Sequence, residues 1–419
     1  MKKLFFILIS ALSFIFYACK EDAVGQYPVE FTPPGAVSEV AFDSMPGAVK
    51  LTYKLPTDKD LLYVKATYFL DNGTKTEAAA SASTNELTIS GFGNNDSLRT
   101  VILKAVDLNQ NASSEVIIKV KPMKSPIYDV MNSMIVDKDF GGIYLKWNNP
   151  LKSKLIVVVT TPDAAGKPVV TIGGKFYSSI ENATVNVRGY DSIPRKFYYQ
   201  VVDRWGNSTR KDSLTVTPIF ERLIPKTYHV KWNGDPTIPY QEYSSSFGIP
   251  MLWDNKWGST SGGNCYSTRS GGGLTTSLTY DLNSQANNAT GKGWINPSRL
   301  KMYARSGSNY NYKVWGEYIR VWGSTSPNVS TANTSGPDAW ILLGTDQAGY
   351  HITPPSGKSG LQATADDIYY AEELGYDVIF PPGMPPIRYV RIETISKWDG
   401  GNPTTHNIGE VVWYGNIQK

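Results

Sequence analysis

Past its first residues the chain is dominated by alternation of apolar and polar positions with a period of two, the pattern of half-buried β-strands. "GAVKLTYKLP" (47–56) alternates in this way and stops at a proline, and "GGIYLKWNNP" (141–150) repeats the scheme. Further on, "SLRTVILKAVDLNQNAS" (97–113) is echoed by "IPRKFYYQVVDRWGNST" (193–209), with Asp107 matching Asp203 and Asn111 matching Asn207 at a constant offset of 96. Short runs bounded by Gly, Asn and Pro predict about seven strands per repeat, hence two sandwiches of about 95 residues each. Within each, the Asp and Asn are turn-formers, because their side chains bond nearby backbone groups. Pro122 and Pro126 mark one boundary, and Pro218 to Pro225 the next.

From about residue 226 the texture changes, with denser Trp and Tyr and longer loops. Strand-like runs include "RLKMYAR" (299–305), "YIRVWGS" (318–324), "DAWILLG" (338–344), "IRYVRIET" (387–394) and "IGEVVWYG" (408–415), while "DDIYYAEELGYDVIF" (366–380) has a helix-capable middle. This predicts one further β-sandwich with a jelly-roll-like strand count. The fold class expected is all-β: two immunoglobulin/fibronectin-like sandwiches (37–123 and 124–222) and a jelly-roll sandwich (223–419).

The N-terminus is of another kind. "MKK" followed by "LFFILISALSFIFYA" has the basic and apolar regions of a signal peptide (1–18), and Cys19 follows the small residue Ala18. The polar, Pro-rich segment 19–36 then reads as a tether. If Cys19 is acylated, Cys265 is the only thiol left and no intramolecular disulfide forms, so the sandwiches rely on burial.

Composition and charge narrow the function. A formal net charge of +4, scattered along the chain, does not suggest a nucleic-acid partner. No G-x-G-x-x-G opens a helix, and the "GKS" at 357–359 has Ile352 where a phosphate loop needs its first glycine. "GSTSG" places Thr260 where a nucleophile elbow needs serine. His229, His351 and His406 stand apart with no metal-ligand spacing. A glycoside hydrolase needs two carboxylates in one cleft, and the acidic pairs here are adjacent residues such as Asp366/Asp367 and Glu372/Glu373.

Aromatic rings set among Asn, Asp, Arg and Gly remain. A pyranose offers an apolar face that stacks on Trp or Tyr, and hydroxyls that require planar polar partners. Trp322, Trp340, Trp413 and Tyr389 lie in strand-like runs and read as packing residues, and Trp253 reads as an anchor where a strand meets a loop. Trp257, Tyr310, Tyr312 and Trp398 lie in Gly/Asn-rich segments and are the candidate glycan-binding rings.

Several stretches resemble known families. The V-D-x-x-x-N-x-S element is similar to the last hairpin of fibronectin type III-like domains, and Cys19 with its leader and the following "KED" resembles the export signal of Bacteroidetes surface lipoproteins. In order, "LWDNKW", "LKMYAR", "YIRVWGS", "AWILLG" and "IRYVRIET…IGEVVWYG" resemble the discoidin-like, coagulation-factor C-type galactose-binding fold at the C-terminus of lipoproteins from glycan-utilisation loci. The resemblance implies a non-catalytic glycan-binding lipoprotein, lipidated at Cys19 and held on the outer membrane facing the exterior. It also implies polysaccharide as ligand and an outer-membrane transporter complex as partner. Asp254 and Glu410 fall where related modules hold a structural Ca²⁺, although "DNKWGSTSGG" carries a single acid. Arg305 falls where many of these domains carry an arginine suited to a hydroxyl pair or an acidic sugar. The two N-terminal sandwiches are then spacers. An adhesive, protein-binding surface lipoprotein is the other reading.

Overall fold

The computed structural model describes residues 31–94, 97–232, 242–261, 263–268, 277–283, 294–307, 312, 315–326, 339–344, 349–398 and 406–417. Cys19 and Tyr310 lie outside the described residues. The fold is almost entirely antiparallel β, and its sheets fall into three groups along the chain.

The first group holds β1 (Ser38–Met45), β2 (Ala48–Lys54), β3 (Leu61–Phe69), β4 (Lys75–Ser81), β5 (Glu86–Ser90), β6 (Arg99–Asp107) and β7 (Val116–Val120). The second holds β8 (Ile135–Asp139), β9 (Gly142–Asn148), β10 (Leu155–Pro162), β11 (Pro168–Ser178), β12 (Asn182–Val187), β13 (Arg195–Asp203) and β14 (Asp212–Val216). The sheets are β1-β2-β5 with β4-β3-β6-β7, and β8-β9-β12 with β11-β10-β13-β14. The internal repeat is therefore a repeat of topology. Alternation explains it: β2 turns Val49, Leu51 and Tyr53 inward, and β9 turns Ile143, Leu145 and Trp147 inward. One element was not expected, a six-residue helix Ile127–Asn132 that opens after Pro126 and buries Ile127 and Val130.

The repeated turn closes the same way twice. The Asp107 carboxylate accepts from the Asn111 backbone N–H at 2.8 Å and from its amide at 2.9 Å. Asp203 accepts from Asn207 at 3.0 and 2.9 Å. In the second copy the Asn207 amide also donates to Gly91 O of the first sandwich at 3.0 Å. A Cβ on Gly91 would lie 3.0 Å from the Trp205 ring, so the left-handed glycine (φ +103°) lets the two units touch.

The third group comprises β15 (Arg222–Leu223), β16 (Val230–Lys231), β17 (Tyr266–Ser267), β18 (Ser277–Asp281), β19 (Ile295–Tyr303), β20 (Gly316–Ser324) and β21 (Ile341–Leu342). It is completed by β22 (Tyr350–His351), β23 (Tyr376–Ile379), β24 (Tyr389–Lys397), β25 (Asn407–Ile408) and β26 (Glu410–Ile417). One large sheet runs β15-β26-β19-β23, the other β16-β18-β24-β20-β21 with β22 also on β20, and β17 pairs with β25 in a small two-stranded sheet. Leu300, Met302, Val411 and Trp413 from the first sheet share a core with Tyr280, Ile319, Val321, Val390 and Ile392 from the second. The Trp413 indole donates to the Tyr280 hydroxyl at 2.7 Å across that core. The helix-capable segment is a short helix, Ala365–Tyr369, started by a Thr364–Asp367 capping box and continued as a π-turn to Leu374.

Candidate functional site

At one end of β19 and β26 the loops 254–261, 305–307 and 370–375 converge, and the sequence stretch "LWDNKWGST" builds most of the site. A 3₁₀ turn, Ile249–Trp253, carries proline near its start and buries Ile249 and Leu252. Trp253 packs on the core beside Tyr280, at 5.3 Å between ring centres, and edge-on to His229 at 5.5 Å. It is an anchor, as its position at the turn suggests. The chain then reverses: the Asp254 carboxylate accepts from Lys256 N at 2.9 Å, and Asn255 takes a left-handed φ of +65°, which asparagine tolerates.

These bends leave the Trp257 indole half-buried, 5.1 Å from the Tyr303 ring and tilted 32° to it. Gly258 follows at φ +54°, where an added Cβ would sit 2.3 Å from the Glu373 carboxylate. That carboxylate accepts from Ser259 N at 2.7 Å and pins the loop to the π-turn. Glu372 accepts in the same manner from Gly307 N, at 3.3 Å.

Below the indole lies a charged cluster. Asn255 N donates to Glu410 Oε1 at 3.2 Å. The Lys226 ammonium, arriving from the segment after β15, donates to the same oxygen and to Asn255 Oδ1 at 3.0 Å. It also stands 5.3 Å from the centre of the Trp257 ring. Glu410 is fully buried and its Oε2 has no hydrogen-bond partner. Burial pushes its carboxyl up to about 7, against the opposing pull of Lys226 and the Asn255 N–H.

The sequence expectations meet this geometry unevenly. Asp254 and Glu410 do come to one place, but the donor set does not fit Ca²⁺. An ammonium already sits between Glu410 and Asn255, whereas calcium asks for six to eight oxygens. Among the described residues no group of three His, Cys, Asp or Glu side chains is placed to hold a metal. Tyr312 is corrected outright: its ring is 1% exposed, and its hydroxyl donates to Asp367 O at 3.1 Å and meets the Tyr376 hydroxyl. It packs the core and presents no face to a ligand.

Trp398 is half-buried, edge-on to Tyr312 at 6.5 Å and 5.3 Å from His351, with Gly360 against its ring. Arg305 leaves β19 at the same end as Trp257, its guanidinium 5.4 Å from the Phe247 ring. Cys265 is buried, and burial lifts its thiol to about 11, away from nucleophile chemistry.

Sequence reasoning missed Lys226 and Tyr303. The first lies in a boundary segment and the second in a strand-like run, so neither carried a signal of its own. Trp322, Trp340 and Tyr389, read as packing residues, do pack together on the outer face of the larger sheet: Trp340 and Tyr389 are buried against Trp322 and Trp232, with Arg391 4.3 Å over Trp340, and of this group only Trp232 was missed.

Fold and site together define a β-sandwich protein whose last unit carries an aromatic and charged cluster at a loop end. Three family models match consecutive stretches, all described as domains of unknown function: DUF4959 over residues 34–122, DUF5126 over 123–227 and DUF5000 over 253–415. None of the curated proteins compared matches the chain significantly. Among solved structures, a SusE-like protein (BT2857) is similar at 22% identity and a TM-score of 0.41, covering 69% of this chain and 98% of that one. The carbohydrate-binding module CBM32-3 from a family 31 glycoside hydrolase of Clostridium perfringens is similar at 11% identity and a TM-score of 0.30, covering 46% of this chain and 95% of that one. A two-domain fibronectin type III segment of chicken tenascin is similar at 15% identity and a TM-score of 0.19, covering 43% and 99%.

Proposed function

We propose that the chain is a non-catalytic, cell-surface carbohydrate-binding lipoprotein of a polysaccharide-utilisation system, anchored through Cys19 to the outer membrane. It captures glycan at the loop end of its C-terminal sandwich and works beside an outer-membrane transporter complex. The observation that carries this reading is the half-exposed Trp257 indole, braced by Tyr303 and bordered by the Lys226 ammonium. A flat apolar face next to directional polar groups is what a sugar ring requires. Arg305, at the same end, supplies a planar donor.

A polysaccharide array followed by affinity electrophoresis tests the reading. The wild type is retarded by its cognate glycan, and Trp257→Ala or Arg305→Ala markedly weakens the retardation. Unchanged retardation in both variants would place binding elsewhere. Release of reducing sugar during the same incubation, lost in a carboxylate variant, would make the protein a hydrolase.

One observation favours the adhesive reading. The edge strand β11 leaves Ile172 74% exposed and Tyr177 76% exposed on a side that no other strand pairs among the described residues. Retention on a protein partner, with none on any glycan, would support it.

A further inference from the structure

The second sandwich also carries binding chemistry. Between its β8-β9-β12 sheet and the C-terminal sandwich runs a cleft of about 700 Å³. Strand register orders the wall on the second sandwich. Asp137 pairs with Tyr144 and Tyr144 with Asn186, so the three form one row across the outer face, with the ring in the middle. Lys146 and Thr184 pair in the next row on that face. Tyr144 is half-buried, whereas Asp137, Lys146 and Thr184 are exposed. Ile379, Pro381 and Pro382 of the C-terminal sandwich form the opposite wall, a surface of flat apolar rings and methyls.

The two walls are held in place. Arg188 of the second sandwich pairs with Asp139 at 3.0 Å and with Glu221 at 2.6 Å. Glu221 in turn accepts from Ser298 at 2.5 Å, and the Arg299 guanidinium reaches it at 3.4 Å and Asp377 at 2.9 Å. Arg188 and Glu221 are 14% and 12% exposed, and Asp139 is fully buried, so the chain of contacts is largely shielded from salt. A cleft whose walls are fixed before the ligand arrives spends little binding energy on closing.

The charges show a bias. Asp377 is engaged by Arg299 and Lys301. Asp137, Lys138 and Lys146 line the cleft, are exposed and enter no ion pair among the described residues, which leaves two positive charges against one negative. A ligand that stacks on Tyr144, bonds to Asn186 and Thr184 and brings anions to two lysines is an acidic sugar chain.

We propose that this cleft is a second saccharide-binding site and that it takes an acidic oligosaccharide, one bearing carboxylates or sulfates. The inference rests on the carbohydrate reading for its ligand class, but not on the Trp257 end for its location. Isothermal titration of the full chain tests it, with oligogalacturonate and chondroitin sulfate oligosaccharides as acidic probes and cello-oligosaccharides as neutral ones. The expected result is binding of an acidic probe that weakens at least tenfold in Tyr144→Ala and in Lys146→Glu, falls with added salt, and is unchanged in Trp257→Ala. Both substitutions lie on an exposed sheet face, and an unchanged melting temperature shows that each variant is folded.

If no acidic probe binds, or if both cleft variants bind it like the wild type, the inference is overturned. Loss of all glycan binding in Trp257→Ala alone would overturn the cleft and leave the loop-end reading standing. Loss in the cleft variants alone would do the reverse.

Discussion

Glu410 offers the sharpest quantitative test of the site, through the variant Glu410→Gln. Its carboxyl is fully buried, one oxygen has no partner, and burial lifts it from an ordinary 4.5 to about 7. In the unfolded chain the same group releases its proton near its ordinary value. Between pH 4.5 and 7 the folded state therefore binds more proton than the unfolded state, and stability falls as pH rises through that window. Below 4.5 the group is protonated in both states and the contribution is fully present; above about 7 it has been lost. At ~1.4 kcal/mol per pH unit the loss comes to about 3 kcal/mol. Glutamine keeps the shape and removes the titration, so subtracting its curve from the wild type cancels every other group. Calorimetry of the full chain at several pH values from 4.5 to 7.5 measures the transition that carries the C-terminal sandwich. Glu410→Gln should gain about 3 kcal/mol on the wild type across that range. A difference that stays flat with pH would show that Lys226 holds the carboxylate ionised throughout, and the reasoning would fail.

Three other outcomes follow from particular contacts. Gly258→Ala puts a methyl 2.3 Å from the Glu373 carboxylate at a left-handed φ, and should cost about 1–3 kcal/mol in thermal melts and loosen the Trp257 loop to protease. Asn207→Ala removes its amide hydrogen bonds to Asp203 and Gly91 and should cost about 1–2 kcal/mol in thermal melts of the full chain. Addition or chelation of Ca²⁺ should leave the melting of the C-terminal sandwich where it is, because Lys226 supplies the positive charge at Glu410. A calcium-dependent rise in that transition would restore the two carboxylates as ligands.

What could be read in the sequence was what repeats locally. The alternation of "GAVKLTYKLP" and "GGIYLKWNNP" gave strands because a period of two has one physical solution, and the Asp–Asn turns were legible because their partners lie four residues apart. Trp257 stood out because it is an aromatic in a stretch unable to build a core. Tyr312 carried the same local signature and is nonetheless buried, its hydroxyl meeting Asp367 and Tyr376, 55 and 64 residues away. Lys226 meets Glu410 across 184 residues, a pairing that no local pattern encodes. The cleft was hidden for a related reason: Tyr144 and Lys146 look like the solvent face of any strand until the opposite wall is in place.

Glu221 shows that a boundary in the sequence need not be a boundary in energy. It sits one residue before the end of the second repeat, yet its carboxylate serves Arg188 behind it and Ser298 and Arg299 ahead of it. A truncation that begins at residue 223 strips Ser298 and Arg299 of that acceptor. One that ends at 220 leaves Arg188 with Asp139 alone. The C-terminal sandwich is therefore not a freely portable cassette. Grafted onto another carrier, it would need this single carboxylate brought along with it.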